Sequence, residues 1–384
     1  MKILSIEPTP SPNTMKLNMD ESLPERETRN FNDKNSDEAP DYAKQLLAIR
    51  GVKGLYHVAD FIALERNGKV DWQEILPEAR TVFSGEEHGE AETKNQDRVR
   101  HQPISESFGA INVFIQMFRG LPMQIKLADG DEEKRVGLPE RFMNAAMKAG
   151  EASMNMIMER KWVEQGARYG KIEEIGNDVL EEIKAAYDDE RLEALVERAL
   201  SGEEETNEPK SPHYEKVTPD MLDDPDWKHR YAVLDRMDPQ IEDLPVLEKA
   251  LDDSKMSIRR LAVVYFGMIE RPEVMPYLYR ALRDKSVTVR RTAGDCLSDI
   301  GDREAIGPMA EALKDPSRIV RWRAAMFLYE VGDESAVPAL REAQDDPEFE
   351  VSMQVKLALE RIEKGKTAQG SVWKQMTDRF SRSD

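Results

Sequence analysis

From residue 221 onward the apolar positions follow a repeating beat. Asp224, Asp253, Asp284, Asp315 and Asp346 stand 29, 31, 31 and 31 residues apart. Five residues after the later four comes an aliphatic: Ile258, Val289, Val320 and Val351. Six after the first four comes an arginine: Arg230, Arg259, Arg290 and Arg321. Nine after all five comes a small or apolar residue: Val233, Ala262, Ala293, Ala324 and Val355. Pro245, Pro276, Gly307 and Pro338 repeat at the same step of 31. Each unit therefore reads as two short helices. The proline suits the first turn of the first helix, where a missing N–H costs nothing, and the aspartate marks the turn into the second. Ile300-Gly301-Asp302 and Val331-Gly332-Asp333 end second helices with the glycine that a left-handed C-cap favours.

The rest of the chain has a different rhythm. Residues 3–17 carry a run of prolines that cannot sit inside a central strand and so fit a rigid edge segment leading into one. Tyr42 to Ile49 has helical spacing and stops before Gly51. Leu55, His57, Ala59 and Phe61 share one phase, which changes near Asp60 to Ile62 and Leu64, predicting a hairpin. A last helix begins at Asp71-Trp72, with Asp71 as N-cap. Farther on, residues 111–118 and 123–127 read as two strands joined by the turn Arg119-Gly120-Leu121-Pro122. Leu138-Pro139-Glu140 opens a helix with Phe142, Ala146, Ala149 and Ser153 on one face. Met143, Met147, Met154 and Met158 mark a neighbouring face and read as adaptable core. Residues 179–200 supply one further helix.

Two polar stretches without apolar periodicity, residues 84–97 and 202–220, read as linkers. They divide the chain into 1–84, 98–200 and 221–364, followed by a polar tail, 365–384, that carries Trp373 and Phe380. Hydrophobic residues make up 40% and charged residues 34% of the chain, and the net charge is −20. That balance counts against bulk nucleic-acid binding, which needs a cationic surface, though a local basic patch is compatible with it. The single cysteine, Cys296, excludes an intramolecular disulfide and any Cys-x-x-Cys site. The opening residues are too short and too soon interrupted for a signal peptide, and no run is long enough for a membrane span, so a cytoplasmic location is expected. The histidines His57, His88, His101, His213 and His229 have no zinc spacing. No nucleophile elbow, Walker loop or Rossmann glycine pattern is present.

The repeating part resembles the HEAT-like family in its short form. In that family the Asp-x5-Arg spacing forms a ladder, the turn carboxylate of one unit pairing with an arginine of a neighbour. The resemblance implies a structural role for Asp253, Arg259, Asp284, Arg290, Asp315 and Arg321. It leaves Arg260, Arg291 and Arg323, with Trp322, as candidates for a partner surface on the inner face. Ser352, where the other units have arginine, fits a terminal cap. At the other end, Pro-x-Pro-Asn-x-x-Lys, Ala48-Ile49-x-Gly51-Val52, Asp60-Phe61-Ile62 and Asp71-Trp72 resemble the N-terminal domain of Nfu-type iron–sulfur scaffolds. Such scaffolds hold their cluster through Cys-x-x-Cys in a separate domain, and this chain has no such pair, so no cofactor is expected.

The order of the parts is similar to a bacterial family described as conserved virulence factor C. The expected fold is α+β in the N-terminal and middle parts, followed by an all-α HEAT-like solenoid. The resemblance implies support of virulence-factor production and gives no reaction. The expected function is a non-catalytic adaptor or scaffold that binds proteins through the HEAT-like repeats, with iron–sulfur assembly factors or their clients as candidate partners. Two rivals stay open: a lyase-type enzyme acting on a chromophore, and a nucleic-acid-binding solenoid.

Overall fold

The computed structural model describes residues 1–84, 110–201 and 216–365, apart from 10, 12, 25, 26, 69, 130 and 131. Most of both linkers lies outside the described residues, as do Pro10, Pro12, His88, His101, His213 and the tail with Trp373 and Phe380. The described residues fall into two compact units, 1–84 and 110–365.

The first unit carries a five-stranded antiparallel sheet. Its strands are β1 (Ile3–Pro8), β2 (Thr14–Met19), β3 (Thr28–Asn32), β4 (Val52–Val58) and β5 (Phe61–Arg66), in the order β1-β2-β5-β4-β3. Pro8 closes the edge strand β1, where a missing donor is tolerated. Helix α1 (Asp41–Ala48) stops short of Gly51, whose φ is +90°. A Cβ there would come within 2.5 Å of Val70, so glycine is required. The hairpin turns at Ala59 and Asp60 as the phase change predicts. Helix α2 (Trp72–Ser84) starts right after Asp71, whose carbonyl accepts the Glu74 and Ile75 N–H groups. Strand β3 escaped the sequence reading, because its exposed–intermediate alternation of polar residues exists only by pairing with β4.

The second unit opens with a four-stranded antiparallel sheet, β6 (Ala110–Phe118), β7 (Leu121–Asp129), β8 (Glu132–Gly137) and β9 (Lys161–Tyr169), in the order β8-β7-β6-β9. The β6–β7 turn is tighter than expected. Only Arg119 and Gly120 form it, with φ of 48° and 79°, and Leu121 and Pro122 already belong to β7. Arg119 is held in that conformation by Glu159 at 2.7 Å and the Ala199 carbonyl at 2.9 Å. Helices α3 (Glu140–Gly150), α5 (Ile172–Ala186) and α6 (Asp189–Ser201) pack on the sheet through Phe142, Ala149, Val179, Ile183, Leu192 and Val196. The short helix α4 (Met156–Glu159) precedes β9. Pro139 is the N-cap of α3 rather than its first residue. The single helix expected over 179–200 is two: the chain leaves helical geometry at Tyr187, and the Asp188 carboxylate caps α6 by accepting the Arg191 N–H at 2.8 Å.

The repeats then follow as α7 (Trp227–Asp235), α8 (Leu244–Leu251), α9 (Met256–Ile269), α10 (Met275–Ala281), α11 (Val287–Ile300), α12 (Ile306–Ala312), α13 (Arg318–Glu330), α14 (Val337–Ala343) and α15 (Phe349–Glu363). Pro245, Pro276 and Pro338 sit in the first turns of α8, α10 and α14. Gly301 caps α11 in the left-handed region, at φ +67°. Gly332 serves differently from the expected left-handed cap: a Cβ there would meet the Leu328 carbonyl oxygen at 2.3 Å. Close backbone approach, not handedness, requires that glycine. The architecture is thus α+β followed by a helical solenoid.

Candidate functional site

The turn aspartates and the second-helix arginines form one continuous ladder. Each arginine grips the aspartate of the following unit with both ends of its guanidinium. The distances are 2.6 and 2.9 Å for Arg230–Asp253, 2.7 and 3.0 Å for Arg259–Asp284, 2.6 and 3.0 Å for Arg290–Asp315, and 2.7 and 3.1 Å for Arg321–Asp346. The remaining arginine Nη1 donates to the carbonyl of its own unit's aspartate, as Arg259 does to Asp253 at 2.9 Å. The same carboxylates fix the turn into the next helix, Asp284 accepting the Ser286 N–H at 2.7 Å. Burial would raise the Asp253 carboxyl, but hydrogen bonds from Arg230 and the Lys255 N–H outweigh it and hold it below the usual range. Ser352 ends the ladder by donating to the Gln344 carbonyl at 2.7 Å. With every fork engaged, these residues join neighbouring units.

The inner-face residues are not a free surface. Trp322 and Arg291 are each 1% exposed, and Arg260 and Arg323 are half-buried. The chain's own middle region lies against Arg260 and Arg291. Tyr169, at the end of β9, accepts a hydrogen bond from Arg291 Nη2 at 2.9 Å and stacks its ring under the guanidinium at 4.5 Å. Asp295 pairs with Arg291 and, at 2.6 Å, with Arg323. One turn of solenoid earlier, Arg168 holds Glu182 bidentately at 3.0 and 2.5 Å, and Glu182 also meets Ser257 and the charge of Arg260. Ion pairs Arg191–Asp235 at 2.7 Å and Arg236–Asp188 at 2.6 Å pin the α5–α6 junction to α7. Burial, then the neighbouring cation, brings Arg291 down to about 9 and Arg260 to about 10. The expectation that these four residues face a partner is therefore corrected. A long-range contact no repeat periodicity encodes has filled the face, and nucleic-acid binding there loses its arginines.

The exposed apolar surface lies elsewhere. Met143 is 60% exposed, Met147 63%, Met154 103% and Met158 78%, with Ile157 beside them at 73%. The expected core stripe is a surface. Phe142, Ala146 and Ala149 are buried in α3, and Met143 and Met147 each lie one residue, about 100° of helix, farther round than a buried neighbour. That offset was readable in the sequence and carries them off the core stripe. The chain then folds back: Met156 packs inward against the core, while its neighbours point out. Glu159 anchors the segment through Arg119 and accepts from Ser153 at 2.5 Å. Apolar groups this exposed, clustered within sixteen residues, are costly to leave in water and are characteristic of adaptable binding surfaces.

Of the remaining chemistry-bearing residues, His229 is exposed and pairs with Asp224 at 3.2 Å, while His57 and Cys296 are enclosed. His57 is 1% exposed and hydrogen-bonds Tyr42 at 2.7 Å. Burial, then the Arg29 charge, lowers it to about 4, so it is neutral at pH 7. Cys296 is buried, its thiol pushed up to about 12 by burial and then Asp299, which removes thiolate reactivity. Among the described residues no group of three or more His, Cys, Asp or Glu side chains is arranged to hold a metal ion. No helix among them is long and apolar enough to cross a membrane.

Three family descriptions match the chain: the N-terminal domain of the scaffold protein Nfu/NifU over residues 3–88, "virulence factor" over 116–196, and HEAT repeats over 278–360. The protein YpgR of Bacillus subtilis (strain 168) is 62% identical over 378 residues, 98% of each chain. Conserved virulence factor C of Staphylococcus aureus (strain MRSA252) is 49% identical over 381 residues, 99% of this chain and 100% of the relative. Among solved structures, the Staphylococcus aureus protein SAV1430 is 35% identical and covers 22% of this chain and 99% of its own, with a TM-score of 0.21. Likeness that runs from end to end at about half identity places the chain in the conserved virulence factor C family.

Proposed function

We propose that the chain is a non-catalytic cytoplasmic adaptor, without a cofactor of its own, that binds a protein partner through the methionine surface of α3 and α4. One observation carries this reading: Met143, Met147, Met154, Ile157 and Met158 stand in water, while the solenoid's inner arginines are engaged by the chain's own β9 and α5. Burying five such side chains against a partner is worth about 1.5–3 kcal/mol each before ordering costs. Thioethers let one surface fit differently shaped clients. The solenoid then acts as a rigid support for that surface. The Nfu/NifU match over residues 3–88 favours iron–sulfur assembly factors or their clients as the partner class reached by the first unit.

The test is affinity capture from cytoplasm with the full chain and with a variant carrying Met143→Ser, Met147→Ser, Met154→Ser and Met158→Ser. The same proteins should be enriched by the full chain and lost from the variant, with iron–sulfur assembly factors or cluster-dependent enzymes among those captured. Equal capture by both would remove the methionine surface from the account. A captured set with no link to iron–sulfur proteins would leave the Nfu-like unit as a fold relationship only.

A further inference from the structure

We propose that Met143, Met147, Met154 and Met158 form a reversible oxidation site whose oxidant is a peroxide-class two-electron acceptor. The site rests on the reading of this surface as the partner-binding one, and adds its regulation. Two properties decide whether a thioether oxidises: the sulfur must be accessible, and no packing may shield its lone pair. These four are 60%, 63%, 103% and 78% exposed. Six other described methionines are buried, among them Met15 at 2% exposed, Met19 at 3%, Met275 at 2%, Met309 at 1% and Met326 at 4%, and Met221 is 39% exposed. Met268, on α9, is 60% exposed but stands in the repeats, and it serves as an internal control.

The step balances without another cofactor. A sulfur lone pair attacks one oxygen of hydrogen peroxide, the S–O bond forms as the O–O bond breaks, and the departing hydroxide takes the proton of the transferred hydroxyl group and leaves as water. Sulfur is oxidised by two electrons and the peroxide is reduced by two. The sulfoxide carries a strong dipole where the surface offered an apolar thioether, so burying it against an apolar partner face strands a polar group. A dithiol-dependent sulfoxide reductase returns the two electrons and restores the surface. Four sites in one patch make the response graded, because each oxygen gained removes part of the apolar area.

The test treats the full chain with graded hydrogen peroxide and maps oxygen uptake at each methionine by peptide mass spectrometry. Two functional readouts accompany it: retention of the captured partners, and fluorescence of the apolar dye ANS on the free chain. Expected are uptake at the four sites and at Met268 at least about tenfold faster than at Met15, Met275 and Met309, loss of partner and of dye signal, and recovery of both after sulfoxide reductase. A variant with Met143→Leu, Met147→Leu, Met154→Leu and Met158→Leu keeps the apolar surface and should hold partner and dye through the same treatment. Met268→Leu should protect neither. Uptake at the buried methionines as fast as at the four overturns the proposal. So does full oxidation of the four with no loss of dye or partner, and so does loss from the leucine variant matching the wild type. If the untreated chain captures nothing, the adaptor reading fails by itself, and the dye readout still decides the oxidation site.

Discussion

Two surfaces of the second unit hold the kinds of side chain that each would be expected to hide or display. The solenoid's inner face carries arginines and a tryptophan, typical of binding hot spots, yet Arg291 and Trp322 are each 1% exposed. The α3–α4 surface carries methionines typical of a core, yet Met154 is fully exposed. Chemistry alone does not assign a surface; accounting for its partners does. A guanidinium removed from water needs acceptors, and the inner face supplies part of them from within the chain through Tyr169, Asp295 and the Glu182 cluster, while Arg291 Nε and Arg323 Nε make no hydrogen bond. A methionine left in water needs nothing specific, only an apolar counterpart that arrives from outside. The first surface is closed chemistry, the second open.

The largest expected effect is on the closed surface. Arg168→Ala leaves the Glu182 carboxylate, 4% exposed, without its bidentate partner, and should destabilise the second unit by about 3–5 kcal/mol in urea denaturation. Arg168→Met together with Glu182→Leu should recover most of that loss. A cost near zero for the single change would mean that the middle region does not sit against the repeats. Next comes the ladder: Arg259→Ala removes two charge-assisted hydrogen bonds to Asp284 and should cost about 1.5–3 kcal/mol by the same measurement.

The pH dependence follows from the depressed carboxyls. Glu182 and Asp253 titrate below their ordinary values of 4.5 and 3.8 when folded. Their contribution is fully present above those values and is lost as pH falls through the lower folded ones. Asp178 and Asp299, raised mainly by burial, act in the opposite sense: their protonation favours the folded state, and that contribution fades as pH rises through their folded values. With Glu182 and Asp253 depressed, urea midpoints should fall on acidification below about pH 4.5, and Asp253→Asn should flatten that fall. The smallest effect belongs to the open surface. Met147→Ser, at a 63% exposed site, should change stability by less than about 0.5 kcal/mol while weakening partner capture.

The sequence disclosed whatever repeats in register. The Asp–Arg ladder was legible because each rung uses positions fixed by the same step, and the helix ends followed from Pro276, Pro338 and Gly301. The N-terminal hairpin was legible from the phase change at Asp60. What stayed hidden depends on segments distant in the chain. Tyr169 and Arg291 are 122 residues apart, and no local pattern announces their contact. Strands β3 and β8 are polar and borrow their conformation from β4 and β7. Helices α5 and α6 merge in an apolar count, and only the local geometry at Tyr187 and the cap by Asp188 divides them. The methionine surface departs from its expected core position for a different reason: apolar character does not by itself mean burial, and the helical offset from Phe142 and Ala146 turns these side chains outward.

Hydroxyl-radical footprinting of the full chain tests the contrast between the two surfaces most directly. Strong labelling at Met143, Met147, Met154 and Met158, with Trp322 and Met326 silent, is the result expected from a closed inner face and an open methionine surface. Labelling of Trp322 and Met326 as strong as that of the four methionines would contradict it, and would return the inner face of the repeats as the binding surface.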